Sequence, residues 1–194
     1  GVRADIPINA CAKTFLTAMN SRDIKIDDIE VKKWKKWIFD LKQKYPVCNE
    51  KYFEEKDYLN PYVFFSEISN LLKNSDIILP DASANLIWAY QALKPKKGQK
   101  IFTALNHSPM GYSVAAAVGA QLSNMEKNVI AIIGDGSVQM NVQEFETISY
   151  NKLPIKVFII NNGGYGLIKG TLETFLDRNY VGVDKSSGLG IPDF

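Results

Sequence analysis

The chain has 194 residues, 46% of them hydrophobic and 23% charged, a balance that suits a globular protein with one core and an appendage. Its formal net charge of +2 and dispersed lysines point to neither nucleic acid nor a membrane surface as a partner. No apolar run reaches membrane-spanning length, the amino terminus shows no signal-peptide pattern, and Cys11 and Cys48 have neither metal spacing nor a disulfide framework, so a reducing cytoplasm is the expected compartment.

In chain order, residues 1–20 hold a strand-like Ile6-Pro7-Ile8 and a short amphipathic helix around Phe15 and Leu16, expected as the tail of a preceding domain. From Ile29 to Tyr45, Val31, Trp34, Trp37, Ile38 and Leu41 recur at helical spacing between lysines, which predicts a helix whose aromatic stripe packs into a core. Residues 46–60 form a polar, aromatic-rich connector, and 21–60 as a whole read as a helical linker. Pro61 then opens a helix running to Leu72, at the position proline favours.

Asp76–Leu79 is a short buried-type strand, Pro80–Asn85 the loop at its end, and a helix follows with Trp88 and Tyr90. Ile101–Leu105 predicts the next strand, followed by the loop Asn106-His107-Ser108-Pro109-Met110-Gly111-Tyr112. In the helix expected over Ser113–Leu122, Ala115, Ala116, Ala117, Gly119 and Ala120 permit close approach to a sheet. Val129–Ile133 is an apolar strand, Gly134-Asp135-Gly136-Ser137 a turn, and 141–152 a helix opened by a capping box of Asn141 and Glu144. Ile155–Ile160 is the last strand, Asn161-Asn162-Gly163-Gly164 a polar turn, and Tyr165–Glu173 a helix over the site.

This alternation predicts an α/β protein with a doubly wound, mostly parallel sheet and helices on both faces. Both polar turns then fall outside the carboxyl ends of strands, where such sheets bind ligands. Asp135 offers a carboxylate and Asn162 an amide oxygen, hard ligands suited to Mg²⁺ or Ca²⁺. Gly134 and Gly136 remove side chains where a bulky anion must approach, and the first amides of helix 141–152 are expected to face that anion. A cation held by so few protein groups completes its shell with water and phosphate oxygens, so the expected ligand is a metal diphosphate.

GDG followed by paired asparagines resembles the signature of thiamine diphosphate-dependent enzymes. The resemblance implies that Asp135, Asn162 and the carbonyl of Gly164 hold the Mg²⁺ that anchors the cofactor, with Gly134, Gly136 and Ser137 beside its diphosphate. The loop Ser108–Tyr112 is similar to the family's S-M-G-F/Y element. There Met110 wedges under the cofactor and makes its two rings fold into a V, and the backbones of Ser108 and Met110 bond the aminopyrimidine. Asn85 stands where many members have the second residue of a Gln-His pair, and either contacts the diphosphate or caps its helix. The two tryptophans, Lys44-Tyr45-Pro46 and Asn60-Pro61-Tyr62 resemble the segment leading into the diphosphate-binding domain of acetolactate synthase-like enzymes, and Ser187–Phe194 resembles their S-G-L-x-x-P-D-F element.

On this resemblance, 61–194 is a diphosphate-binding domain, incomplete at its carboxyl end and truncated relative to the family fold. The implied reaction is decarboxylation of a 2-oxo acid followed by carboligation, because Ile168 occupies the position where pyruvate decarboxylases carry an acidic residue. Gly170 and Thr171 replace the Q-W pair of branched-chain synthases, so the acceptor stays open. The activating glutamate is expected on a pyrimidine-binding domain from a partner subunit in a homo-oligomer, and the fragment alone is expected to be inactive. The alternatives are another thiamine diphosphate-dependent 2-oxo acid decarboxylase, a non-catalytic paralogue, and a nucleotide-binding module that would lack its GxGxxG. His107, the single histidine, is read as an ordinary loop residue rather than a substrate contact.

Overall fold

The apolar runs Ile77–Pro80 and Val129–Gly134 pair side by side because each can bury both faces only within a sheet covered by helices. The computed structural model describes residues 3–23, 27–190 and 192. The chain divides into two units, Gly1–Pro46 and Val47–Phe194. Among the described residues no helix is long and apolar enough to cross a membrane.

The first unit holds α1 (Ala12–Asn20) and α2 (Asp28–Lys44). Local signals explain α2: Asp27 caps it by accepting from Ile29 N–H at 2.8 Å, acidic Asp28 and Glu30 open it, and Lys42 and Lys44 close it. Its aromatic stripe is not core. No residue of either helix is buried, and Trp34 and Trp37 are 63% and 56% exposed. A unit of two helices has too little apolar surface to enclose them. Ile6-Pro7-Ile8 forms no strand.

In the second unit, α3 (Pro61–Leu71) is followed by β1 (Ile77–Pro80), α4 (Ala84–Ala92), β2 (Lys100–Ile101), α5 (Tyr112–Leu122) and β3 (Val129–Gly134). Next come α6 (Asp135–Val138), α7 (Glu144–Tyr150), β4 (Lys156–Ile160) and α8 (Gly166–Phe175). The strands pair in parallel in the order β2-β1-β3-β4. Alternation along β1 and β3 sorts the core. Ile78, Ile130 and Ile132 pack with Phe65 and Ile68 of α3 and Ala89 of α4, while Ile77, Leu79, Val129 and Ala131 pack with Ala117 of α5. Ile133 joins Val114 of α5 and Phe145 and Ile148 of α7 on that second side. Helices therefore cover both faces.

From β1 the chain moves outward to β2, and from β3 it moves the opposite way to β4. The reversal between adjacent β1 and β3 opens a crevice at their carboxyl ends. Two expected elements differ. β2 is two residues long rather than extending to Leu105, because after Phe102 N–H donates to Ile78 O at 3.2 Å the chain turns away, leaving Leu105 59% exposed. The helix expected over 141–152 is also split. A 3₁₀ turn ends at Asn141 and α7 begins at Glu144, with no side-chain cap. Asn141 is drawn off instead to donate from Nδ2 to Gly111 O at 3.1 Å.

Candidate functional site

The site is assembled from the ends of three strands. β3 runs straight into α6, so the GDG turn is itself a helix start with Gly134 as N-cap. Asp135 is 1% exposed, and its charge is met by backbone donors. Gly136 N–H donates to Oδ1 at 2.8 Å, and Gly163 and Gly164 N–H donate to Oδ2 at 2.8 and 3.0 Å. One carboxylate thereby fastens the turn after β4 to the turn after β3.

Asn162 brings a third polar group to the same point. The terminal amide atom on its inward side lies 2.7 Å from Gly164 O and 3.2 Å from Asp135 Oδ1. As nitrogen, that atom donates to both. With the amide turned over, that atom is an oxygen whose separations from Gly164 O and Asp135 Oδ1 are close to an octahedral edge, roughly 3 Å for Mg²⁺ ligands at about 2.1 Å. These are oxygens of a carboxylate, an amide and a peptide, the chemistry a hard divalent cation takes. No group of three His, Cys, Asp or Glu that could hold a metal occurs among the described residues.

A cavity of about 370 Å³ opens beside this cluster. Its walls include Gly134, Asp135, Gly136 and Ser137 after β3, Asn162 and Gly164 after β4, Asn85 on α4, and Ser108 and Met110 on the loop before α5. All nine residues singled out in the sequence thus border one space. His107 is exposed and does not border it. Asn85 is 5% exposed and its Oδ1 has no partner, so a buried polar atom faces the cavity wall unsatisfied. No side-chain cap is found at α4, which removes the helix-capping role for Asn85.

Two expectations change. The first turn of α7 does not border the cavity, so the helix start nearest the cluster belongs to α6. The room left by Gly136 is filled from within the protein: a side chain there would collide with the Tyr165 ring. At Gly164, φ is +150° and a Cβ would strike Val183 O, so glycine is required to bring its carbonyl to the cluster.

Several contributors escaped the sequence reading. Trp88, Tyr165 and Leu167 border the cavity together with Ile168, and Asp81 lies fully buried at the end of β1. Asp81 takes Gly111 N–H at 3.2 Å and Ser113 N–H at 2.8 Å. The Pro80-Asp81 step at a strand end was the available signal. Ser187–Gly190 and Pro192 lie within the described residues, whereas Ile191, Asp193 and Phe194 of the same element lie outside them.

Val183 and Asp184 back the cluster. Tyr165 N–H donates to Val183 O at 2.8 Å, Gly164 and Asp184 form an antiparallel bridge, and Asp184 pairs with Lys169 of α8 at 2.7 Å. That ammonium, with the Ser186 and Ser187 side chains, holds the Asp184 carboxyl well below the usual carboxylate range. Reciprocally, the bond to Asp184 raises Lys169 above the ordinary lysine value.

Comparison with known proteins bears on the same stretch. The family described as "Thiamine pyrophosphate enzyme, C-terminal TPP binding domain" matches residues 81–194. An acetolactate synthase large subunit from Cyanidium caldarium is 32% identical over 187 residues, 96% of this chain and 31% of that protein. Another from Lactococcus lactis is 29% identical over 179 residues, covering 91% and 30%, and a probable one from Methanocaldococcus jannaschii is 32% identical over 175 residues, covering 86% and 29%. The chain spans less than a third of the length of these curated relatives. With residues 81–194 matched and the polar ends of β3 and β4 inside that match, the chain belongs to the thiamine pyrophosphate enzymes through their C-terminal TPP-binding domain.

Proposed function

We propose that this chain is the diphosphate-binding part of an acetolactate synthase-like enzyme that decarboxylates a 2-oxo acid and joins the remaining fragment to a second carbonyl compound. The observation carrying this reading is the convergence of Asp135 Oδ1, the Asn162 amide and Gly164 O on one point beside a cavity that also reaches Met110. In this reading Asp135, Asn162 and the Gly164 carbonyl hold Mg²⁺, and Gly134, Gly136, Ser137 and Asn85 border the diphosphate. Ser108 and Met110 bond the aminopyrimidine through their backbones, and the Met110 side chain sets the angle between the cofactor's rings. Residues 61–194 serve as the diphosphate-binding domain, behind a helical linker at 21–60 and the tail of a central domain at 1–20.

When bound, the cofactor supplies a nucleophilic carbon and an electron sink for decarboxylation. The chain's own residues orient it and exclude water. Ile168 and Leu167 present apolar side chains to the cavity, and neither can deliver a proton, which favours carbon–carbon joining over release of an aldehyde. A partner subunit in a homo-oligomer brings the pyrimidine-binding domain, and the setting is cytoplasmic.

Calorimetric titration with thiamine diphosphate tests this reading. Binding that requires Mg²⁺ and vanishes in both Asp135→Ala and Asn162→Ala is the expected result. Silence from the assembled enzyme, or competition by NAD instead, would overturn it in favour of another nucleotide-binding role. Aldehyde as the sole product from 2-oxo acids would reassign it to the simple decarboxylases.

A further inference from the structure

Met110 stands 39% exposed on a loop that does little to hold itself, with Ser108 at φ +45° and Gly111 at φ +85°. Its fixation comes from two other segments. On one side is Asp81, 0% exposed, whose own N–H donates to Ile132 O at 2.8 Å and so ties it to β3. Its Oδ2 accepts Gly111 N–H at 3.2 Å and its Oδ1 accepts Ser113 N–H at 2.8 Å. On the other side is Asn141, at the end of the 3₁₀ turn that continues α6, donating from Nδ2 to Gly111 O at 3.1 Å. A Cβ at Gly111 would lie 2.8 Å from Asn141 Nδ2 and 3.0 Å from Met140 Cβ, so the grip closes only on glycine.

We infer that Asp81 and Asn141 are positioning residues that grip Gly111 by its N–H and its C=O, and thereby fix Met110 relative to the Asp135–Asn162–Gly164 cluster. The inference rests on the functional reading above, since it concerns how far apart the wedge and the diphosphate anchor are held. α6 begins at Asp135 and the turn after it ends at Asn141, so the anchor and one jaw of the grip belong to one short, continuous segment. A cofactor fastened at the diphosphate and folded over Met110 needs that spacing fixed. A shift of about 1 Å in such a spacing is enough to cost orders of magnitude in rate. A plain helix-capping role for Asp81 would account for the bonds to α5 but not for Asn141, which reaches the same residue from the opposite side.

The test separates cofactor affinity from cofactor geometry in the assembled enzyme. Asn141→Ala is expected to speed amide hydrogen exchange in the 106–113 loop without cofactor. It should also slow deuterium exchange at C2 of bound thiamine diphosphate about tenfold or more, with the dissociation constant of the Mg²⁺ complex within about threefold of wild type. Asp81→Asn, which keeps one acceptor oxygen, is expected to shift the same two exchange rates in the same directions by less, and serves if the alanine variant fails to fold. Affinity falling in step with C2 exchange would overturn the inference, because the pair would then support the site only generally. Unchanged C2 exchange in both variants would overturn it as well. A wild-type enzyme that binds no Mg²⁺–thiamine diphosphate would instead overturn the functional reading, and the inference with it.

Discussion

The two sides of the crevice are built differently. On the β3–β4 side, Asp135 accepts three backbone N–H groups and its neighbours are glycines, so the cluster is satisfied before any ligand arrives. On the β1–α4 side, Asn85 keeps an unpartnered buried oxygen and Ser83 sits at φ +67°, ψ −139°, a conformation that L residues rarely adopt. The first side is a structural knot that can also bind. The second is held in readiness, and its cost is offset only if a ligand meets it.

The sharpest way to break this contrast is Asp135→Ala. Removing the acceptor for three amides should destabilise the ligand-free protein by roughly 3 kcal/mol, as well as abolishing cofactor binding. Urea unfolding without ligand reads the first effect, and an unchanged midpoint would show that the carboxylate is only a ligand. Asn85→Ala should do the reverse. Its loss removes an unsatisfied atom, so ligand-free stability should stay within about 1 kcal/mol of wild type, while cofactor affinity drops about tenfold. Thermal unfolding paired with calorimetry checks both halves.

The same contrast explains what could be read in the sequence. The β3–β4 side is written in consecutive residues: an apolar strand, Gly-Asp-Gly, a second strand, Asn-Asn-Gly-Gly. Each turn carries its own chemistry, so Asp135 and Asn162 stand out from local pattern, whereas the Gly164 carbonyl is named only through the family resemblance. Asp81 and Tyr165 were missed because their roles depend on distant segments, Asp81 through Gly111 and Tyr165 through the space over Gly136. Asn141 misled for a related reason. Its spacing from Glu144 fits a capping box, but the tertiary bond to Gly111 wins, and α7 starts without a cap. The stripe of α2 failed differently: helical spacing showed a helix and a face, and nothing in the spacing says what covers it.

Ser83→Gly is a smaller probe of the readied side. Relief of the left-handed backbone should exceed the extra freedom glycine gives the unfolded chain, for a net stabilisation of about 1 kcal/mol. The denaturant midpoint should rise without a change in slope. A fall would mean that the serine side chain contributes more than its backbone costs, and that this side is less strained than its dihedrals imply.

The smallest effect is expected behind the knot, where Lys169 pairs with Asp184 at 2.7 Å with side chains 40% and 17% exposed. Asp184 titrates below its unfolded value, about 3.9, so its ionised form favours the folded state. That contribution is fully present above the unfolded value and is lost as pH falls through the lower, folded one. Lys169 is shifted the opposite way, so its contribution holds below the ordinary lysine value, about 10.4, and disappears as pH rises through the raised one. The stability difference between wild type and Lys169→Met should therefore be flat from about pH 5 to pH 9 and shrink towards both extremes. Ser186 and Ser187 still bond Asp184 in the variant, so part of the acid sensitivity survives the substitution. Asp184→Asn should remove that remainder too. A difference that grows in acid would mean that Lys169 is held by something other than this carboxylate, and that the segment behind Gly164 is fastened by its backbone alone.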